Sequence, residues 1–87
     1  MPNKLSMSLF LKTGADAKQH REALGMTQVE FWGRICVSQS AASRYECGGS
    51  MPLLVQQLLH IAYADKKDAM LWVRLLRTPE LPDVAAP

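Results

Sequence analysis

The order of apolar and polar residues divides most of the chain into short amphipathic segments. In residues 52–63, Leu54, Leu58 and Ile61 recur at intervals of four and three, which places them on one face of a helix. The segment that follows Asp65 carries a similar set of apolar residues, namely Met70, Leu71, Trp72, Leu75 and Leu76. Both segments are therefore predicted to be helices, and Asp65 is placed to cap the second of them.

Residues that favour helix ends mark three earlier helices. Thr13 or Asp16 can start helix 1, and Gly25 follows its last residues where a left-handed closing residue is needed. In "TQVE", residues 27–30, the threonine and glutamate side chains can each bind the other residue's backbone N–H, which is a capping box. It predicts the start of helix 2, whose apolar positions reach Ile35.

Ser38 is a good N-cap for helix 3, which is predicted to run from Gln39 to about Cys47 and to stop at Gly48–Gly49. Pro52 is tolerated in the first turn of helix 4. Five helices with very short connections predict a compact all-α domain over residues 13–77. Residues 1–12 are predicted to form an N-terminal arm, and the proline-rich residues 78–87 a flexible C-terminal tail.

Composition and charge narrow the class of protein. The chain has 87 residues, of which 48% are hydrophobic and 21% charged, as expected for one folded domain. Ten basic residues face eight acidic ones, and two of the acids, Glu80 and Asp83, lie in the tail, so residues 1–77 hold ten bases and six acids. This mild excess of bases allows a polyanionic partner without requiring one.

No catalytic or metal-binding set is evident in the sequence. The spacing of Cys36 and Cys47 fits no metal site, and His20 and His60 are far from both. The thiols are expected to be reduced, with no cofactor and no enzymatic activity. No run of residues reaches the length of a membrane span, and the brief "LSMSLFLK" does not fit a signal peptide, so a cytoplasmic location is expected.

Helices 2 and 3, joined by "CVS", have the layout of a helix-turn-helix motif, whose second helix enters the major groove of DNA. At about 100° per residue, helix 3 places four polar residues on one face and three others towards the protein. The polar face holds Gln39, Ser40, Ser43 and Arg44, and the packing face holds Ala41, Ala42 and Tyr45. Glutamine, serine and arginine are residues that bind base edges.

Residues 24–64 carry the wording "TQVEF", "VSQS" and "SRYE", followed by glycine and proline in order. This stretch resembles the lambda-repressor-like helix-turn-helix domain of the XRE (Cro/repressor) family of transcription factors. The resemblance implies a regulator, most often a repressor, that binds double-stranded DNA. It gives Gln39, Ser40 and Arg44 base-reading positions, with Ser43 beside them in contact with a base or a phosphate.

The resemblance also implies residues that hold the DNA backbone. These are Gln28, Arg21, Ser38, Ser50 and Met51, the last two through backbone N–H groups. Arg21 and Glu46 match a family pair in which a helix 1 arginine binds a glutamate at the end of helix 3, so Glu46 is predicted to be a structural brace.

Two residues depart from the pattern of the family. Trp32 stands where a small residue is usual, and Cys36 stands where the turn usually has glycine. We expect Trp32 to fill space that the small Ala42 leaves open. Because Cys36 lacks the freedom of glycine at positive φ, we expect a slightly different or mildly strained turn.

One recognition helix reads few bases, so a homodimer on a palindromic operator is expected, with half-sites about 34 Å apart. Trp72, Leu75 and Leu76 either close the core or form the two-fold interface. The arm, in which Leu5, Met7, Leu9 and Leu11 alternate with other residues, either packs on the domain, pairs across a dimer, or reaches DNA through Lys4. An alternative function is that of an antitoxin, which would bind a toxin protein and repress its own promoter.

Overall fold

The computed structural model describes residues 9–78, which form five helices and no strand. The helices are α1 (Gly14–Ala23), α2 (Gln28–Gly33), α3 (Gln39–Glu46), α4 (Leu53–Tyr63) and α5 (Lys66–Leu76). α3 packs against α1 and α2, and α4 packs against α5. The all-α prediction with five helices is confirmed for this part of the chain. None of the described helices is long and apolar enough to cross a membrane.

The start and end of α1 follow from local chemistry. Thr13, rather than Asp16, is the N-cap, and its hydroxyl accepts the backbone N–H of Asp16 at 3.1 Å. At the other end Gly25 adopts φ +69°, and the N–H groups of Gly25 and Met26 bind the carbonyls of Glu22 and Arg21. This closing motif satisfies carbonyls that the last turn of a helix leaves free.

α2 begins as predicted but ends earlier than its apolar pattern suggests. The capping box is present, with Thr27 N–H to Glu30 Oε1 at 2.9 Å and Glu30 N–H to Thr27 Oγ1 at 3.1 Å. The helix ends at Gly33, after which the N–H groups of Ile35 and Cys36 bind the carbonyls of Trp32 and Gly33, three residues back. At the same end the Tyr63 hydroxyl donates to the carbonyl of Phe31 at 2.6 Å, which ties α2 to α4.

The core lies where α1 to α4 meet. Phe31, Trp32 and Leu59 are its largest fully buried side chains, and the Phe31 ring stacks on the Tyr63 ring at 4.1 Å between centroids. Ala17 and Ala42 are fully buried beside them, which lets the helix backbones approach closely. Leu11 and Met51 close the edges of the same cluster.

The part of the arm that the structure describes is packed on the domain. Leu9 and Leu11 are buried, and the N–H of Phe10 donates to His60 Nδ1 at 3.0 Å. Because Nδ1 accepts, the proton lies on Nε2, which faces the carbonyl of Asp68 at 3.3 Å. His60 thus joins the arm, α4 and α5. Residues 1–8, with the strand and Lys4 predictions, and residues 79–87 of the tail lie outside the described part.

Trp72 packs against other residues of its own chain. Its side chain is only 2% exposed, and its ring lies 5.5 Å from the His60 ring. For this residue burial favours the first of the two alternatives, closure of the core, while a dimer interface that includes it stays a prediction. Leu75 is half-buried and Leu76 is exposed at the end of the helix.

Candidate nucleic-acid interface

The outer face of α3 carries three of the four polar residues that the sequence placed there. Gln39, Ser40 and Arg44 are exposed, whereas Ala42 is fully buried and Ala41 and Tyr45 are half-buried. The helix therefore turns its small and aromatic residues to the core and leaves one glutamine, one serine and one arginine free of the protein. These side chains offer the donors and acceptors that suit base edges in a groove.

The first turn of α3 is fixed by Ser38. Its backbone is extended, and its Oγ accepts the N–H of Ala41 at 3.2 Å. The hydroxyl proton of this exposed residue is still free to donate, and free N–H groups of the first turn lie beside it. The same residue therefore caps the helix and keeps a donor at the end of α3 that carries Gln39 and Ser40.

The last turn of α3 is fixed by Glu46, whose carboxylate accepts four hydrogen bonds. Arg21 donates two, from Nε to Oε2 at 2.8 Å and from Nη2 to Oε1 at 2.9 Å. Gln28 donates one to Oε1 at 3.1 Å, and Trp32 donates one from its indole to Oε2 at 2.7 Å. Each oxygen accepts two bonds, so the carboxylate is saturated and ties α3 to both α1 and α2.

The pKa values of this pair reflect the hydrogen bonds. Burial alone would raise the pKa of Glu46, but the hydrogen bonds from Arg21, then Trp32 and Gln28, outweigh it and lower the pKa below its usual value. The bond to Glu46 raises the pKa of Arg21, against the opposing effect of burial. Both groups are charged at neutral pH, and their side chains are only 13% and 3% exposed.

Most of the N–H donors of Arg21 bind acceptors inside the protein. In addition to its two bonds to Glu46, Nη1 donates to the carbonyl of Met26 at 2.9 Å. Two of its five N–H groups remain, on a largely covered side chain. The structure thus contains the hydrogen bonds between Arg21 and Glu46 that the predicted brace requires. Contact between Arg21 and the DNA backbone stays a prediction.

Gln28 and Ser43 bind each other and extend the Glu46 network towards the exposed face of α3. The Ser43 hydroxyl lies 3.1 Å from Gln28 Oε1, and the Gln28 amide nitrogen donates to Glu46. Ser43 is half-buried, so it lies at the edge of the exposed face and not at its centre. With its proton directed to Gln28, the Ser43 hydroxyl can only accept from a donor on a base edge, and it could bind a phosphate only by turning its proton away from Gln28. Both roles stay predictions.

The sequence indicates that Trp32 is unusual but does not predict the hydrogen bond that its indole makes. The side chain is fully buried in the cluster that includes Ala42, in agreement with a large residue beside a small one, and its ring lies 5.6 Å from the Tyr45 ring. Its N–H also satisfies the buried carboxylate of Glu46. A buried indole N–H normally needs a hydrogen-bond partner, and this rule could have indicated from the sequence that Trp32 has one.

The turn between α2 and α3 contains Cys36 at φ +62°, the one non-glycine residue of the described chain with positive φ. Such a backbone costs a residue with a side chain about 1–2 kcal/mol. The predicted strain of the turn is present, and it is the conformation that a glycine would adopt freely.

The loop after α3 is held against that helix. Gly48 adopts φ +107°, and the Gly49 N–H binds the carbonyl of Arg44 at 2.8 Å. A Cβ on Gly49 would lie 2.8 Å from that oxygen, so only glycine fits without a shift. Ser50 is exposed, whereas the Met51 side chain is buried and its carbonyl accepts the Gln56 amide at 2.9 Å. The loop presents Ser50 outward and uses Met51 as an anchor.

A family of known proteins matches this part of the chain. Residues 18–62, from the middle of α1 to the last turn of α4, match the model of the RsaL-like HTH domain. The match spans both helices of the motif, the Glu46 network and the loop before α4. No curated protein and no solved structure matches the chain.

Proposed function

The chain belongs to the RsaL-like helix-turn-helix domain family and is a DNA-binding transcription regulator, and from this premise we propose that it represses transcription from a palindromic operator. Two copies bind the operator, each with α3 in the major groove. Gln39, Ser40 and Arg44 contact base edges, and Ser38, Ser50 and the backbone of Met51 contact phosphates. The resemblance of "TQVEF" and "SRYE" to the XRE family supports the same arrangement.

One observation supports this proposal most strongly. α3 is capped by Ser38 at its start, tied by Glu46 to α1 and α2 at its end, and leaves Gln39, Ser40 and Arg44 exposed between. A helix that only covered a core would not need an exposed face of base-binding side chains. Reading a groove needs that face on a fixed backbone, and the bonds to Glu46 supply the fixed backbone here.

Selection of bound sequences from random DNA tests the proposal. We expect a short motif with two-fold symmetry and half-sites about 34 Å, or one helical turn, apart. Affinity for the selected site should fall as salt rises, because phosphate contacts release counterions. Enrichment of no motif, or affinity independent of salt concentration, would refute sequence-specific binding.

A further inference from the structure

The outer surface of α4 is apolar along its length. Leu54 is 65% exposed and Leu58 36% exposed, and together with the exposed Leu53 and the half-buried Ile61 they define what we call the α4 outer face. These residues lie opposite the buried Leu59. Large aliphatic side chains are thus held out of the core on a helix whose inner side is already packed.

The α4 outer face also lacks charge. Residues 47–64 contain no Asp, Glu, Lys or Arg, in a chain of which 21% is charged. The one polar residue between the leucines of this face is the uncharged Gln57, and the basic side chain of α4, His60, is buried. A solvated helix face normally carries charged residues, so this face is suited to being covered.

Lack of charge favours one particular occupant. In a two-fold dimer the same patch lies on both sides, so each residue of the interface meets its own neighbours from the other copy. A charged patch would then oppose itself, whereas the α4 outer face brings leucine against leucine. The exposed surface of α5 is different. It also carries apolar residues, namely Met70, Leu71 and Leu76, but they lie among charged ones. Lys66, Lys67, Arg74 and Arg77 outnumber the exposed Asp68, so two copies of this surface would repel each other.

We propose that the α4 outer face binds the α4 outer face of a second copy of this chain. The binding of two copies to one operator rests on the proposed function, whereas the association of the two copies with each other does not. α4 begins at Leu53, seven residues after Glu46 ends α3, so the contact would form close to the recognition helix. The molecule measures 38 × 28 × 20 Å, a size at which two adjoining copies can reach half-sites about 34 Å apart.

The size of the face predicts a weak dimer in free solution. α4 has 11 residues and is about 16 Å long, and a strip of that length covers less than the roughly 800 Å² per partner of a standard interface. The dimer is therefore completed on the operator, where the DNA holds both copies side by side and raises their effective concentration.

Sedimentation equilibrium of the full chain without DNA tests the contact directly. We expect concentration-dependent dimerisation, and we expect Leu54→Glu to weaken it at least tenfold, since it places like charges together. Met70→Glu is the matched control, because Met70 is also exposed, at 55%, but lies on α5; it should change the dimerisation constant less than about twofold. An equal mixture of Leu54→Glu and Leu54→Lys should restore association.

The selected operator and its isolated half-site supply a second readout. We expect Leu54→Glu to bind the half-site like wild type but to lose the cooperative gain on the full site. A monomeric wild-type chain at all concentrations, equal effects of the variants at Leu54 and Met70, or no rescue by the mixture would overturn the proposal. Failure of the proposed function is distinct from these, since it would leave dimerisation intact and abolish specific DNA binding.

Discussion

Glu46 shows at the residue scale how a small domain fixes its recognition helix. It carries a charge in a nearly covered position, where an unpaired carboxylate would be unfavourable, and Arg21, Gln28 and Trp32 fill its four acceptor positions. The Arg21–Glu46 bond was predictable because the chain resembles a family in which that pair recurs. The Trp32 bond was not, because it depends on how α2 and α3 meet in space.

The charge of Glu46 makes the stability of the fold depend on pH. Because its pKa is lowered in the folded state, the stabilisation is present above the unfolded value of about 4.5 and is lost as pH falls through the folded pKa. We expect Glu46→Gln to reduce the free energy of unfolding at pH 7 by about 3 kcal/mol, since Arg21 loses its buried partner.

Urea unfolding of both proteins between pH 7 and pH 3 measures this effect. The difference between wild type and Glu46→Gln should begin to shrink below pH 4.5, where Glu46 of the unfolded state takes up a proton, and should be lost once the pH falls below the lower pKa of the folded state. The exposed Glu22 is the control, and Glu22→Gln should change the free energy of unfolding at pH 7 far less than Glu46→Gln does. A constant difference for Glu46→Gln across this range would contradict the assignment.

Gly14 is a second residue on which the position of α3 depends. A Cβ there would lie 1.7 Å from the carbonyl oxygen of Tyr45, so α1 touches the α3 backbone directly. We expect Gly14→Ala to lower the free energy of unfolding by at least about 2 kcal/mol, although alanine normally favours a helix. Sequence patterns did not single out Gly14, since nothing local signals a contact with a helix 30 residues away.

Gly33→Ala is the matched control for Gly14→Ala, because its Cβ would meet no atom within 4 Å and its φ is not positive. It should leave stability unchanged or raise it by up to about 1 kcal/mol. Thermal or urea unfolding measures both. Equal effects of the two substitutions would show that α1 and α3 are not in backbone contact.

At the scale of the elements, capping residues predicted where the helices begin, whereas contacts between residues distant in sequence could not be predicted from local signals. Caps at Thr13, Thr27 and Ser38 act within three residues, so they can be recognised in the sequence. The bond from the Tyr63 hydroxyl to the carbonyl of Phe31 joins residues 32 positions apart, and no local pattern signals it. The spacing of apolar residues likewise placed Trp72 on the apolar face of a helix, but it could not show whether that face packs in the core or against a second copy.

The turn between α2 and α3 gives a prediction at this scale. Cys36→Gly should keep stability or raise it by up to about 1 kcal/mol, because it removes the cost of φ +62°. Cys47→Gly is the control at a residue with φ −95°, where glycine brings no relief and should cost about 0.5–1 kcal/mol. If both substitutions shift the unfolding midpoint in the same direction by the same amount, the turn is not strained.

At the scale of the whole molecule, the chain has little charge with which to hold DNA. Its net charge is +2, and α3 contributes the single basic residue Arg44 to the exposed face. The proposed mode of binding therefore combines a few phosphate contacts with base contacts and a second copy of the chain. The low charge can be counted in the sequence, whereas the exposure of the α4 outer face emerged only from the packed structure.

Affinity for the selected operator and for all its single-base variants, measured for wild type and Arg44→Ala, tests the central claim most directly. We expect the substitution to cost about 1–3 kcal/mol on the operator and to remove discrimination at one base position in each half-site, leaving the others intact. If Arg44→Ala weakens binding to every sequence equally, Arg44 contacts phosphate and the exposed face of α3 does not read bases through it.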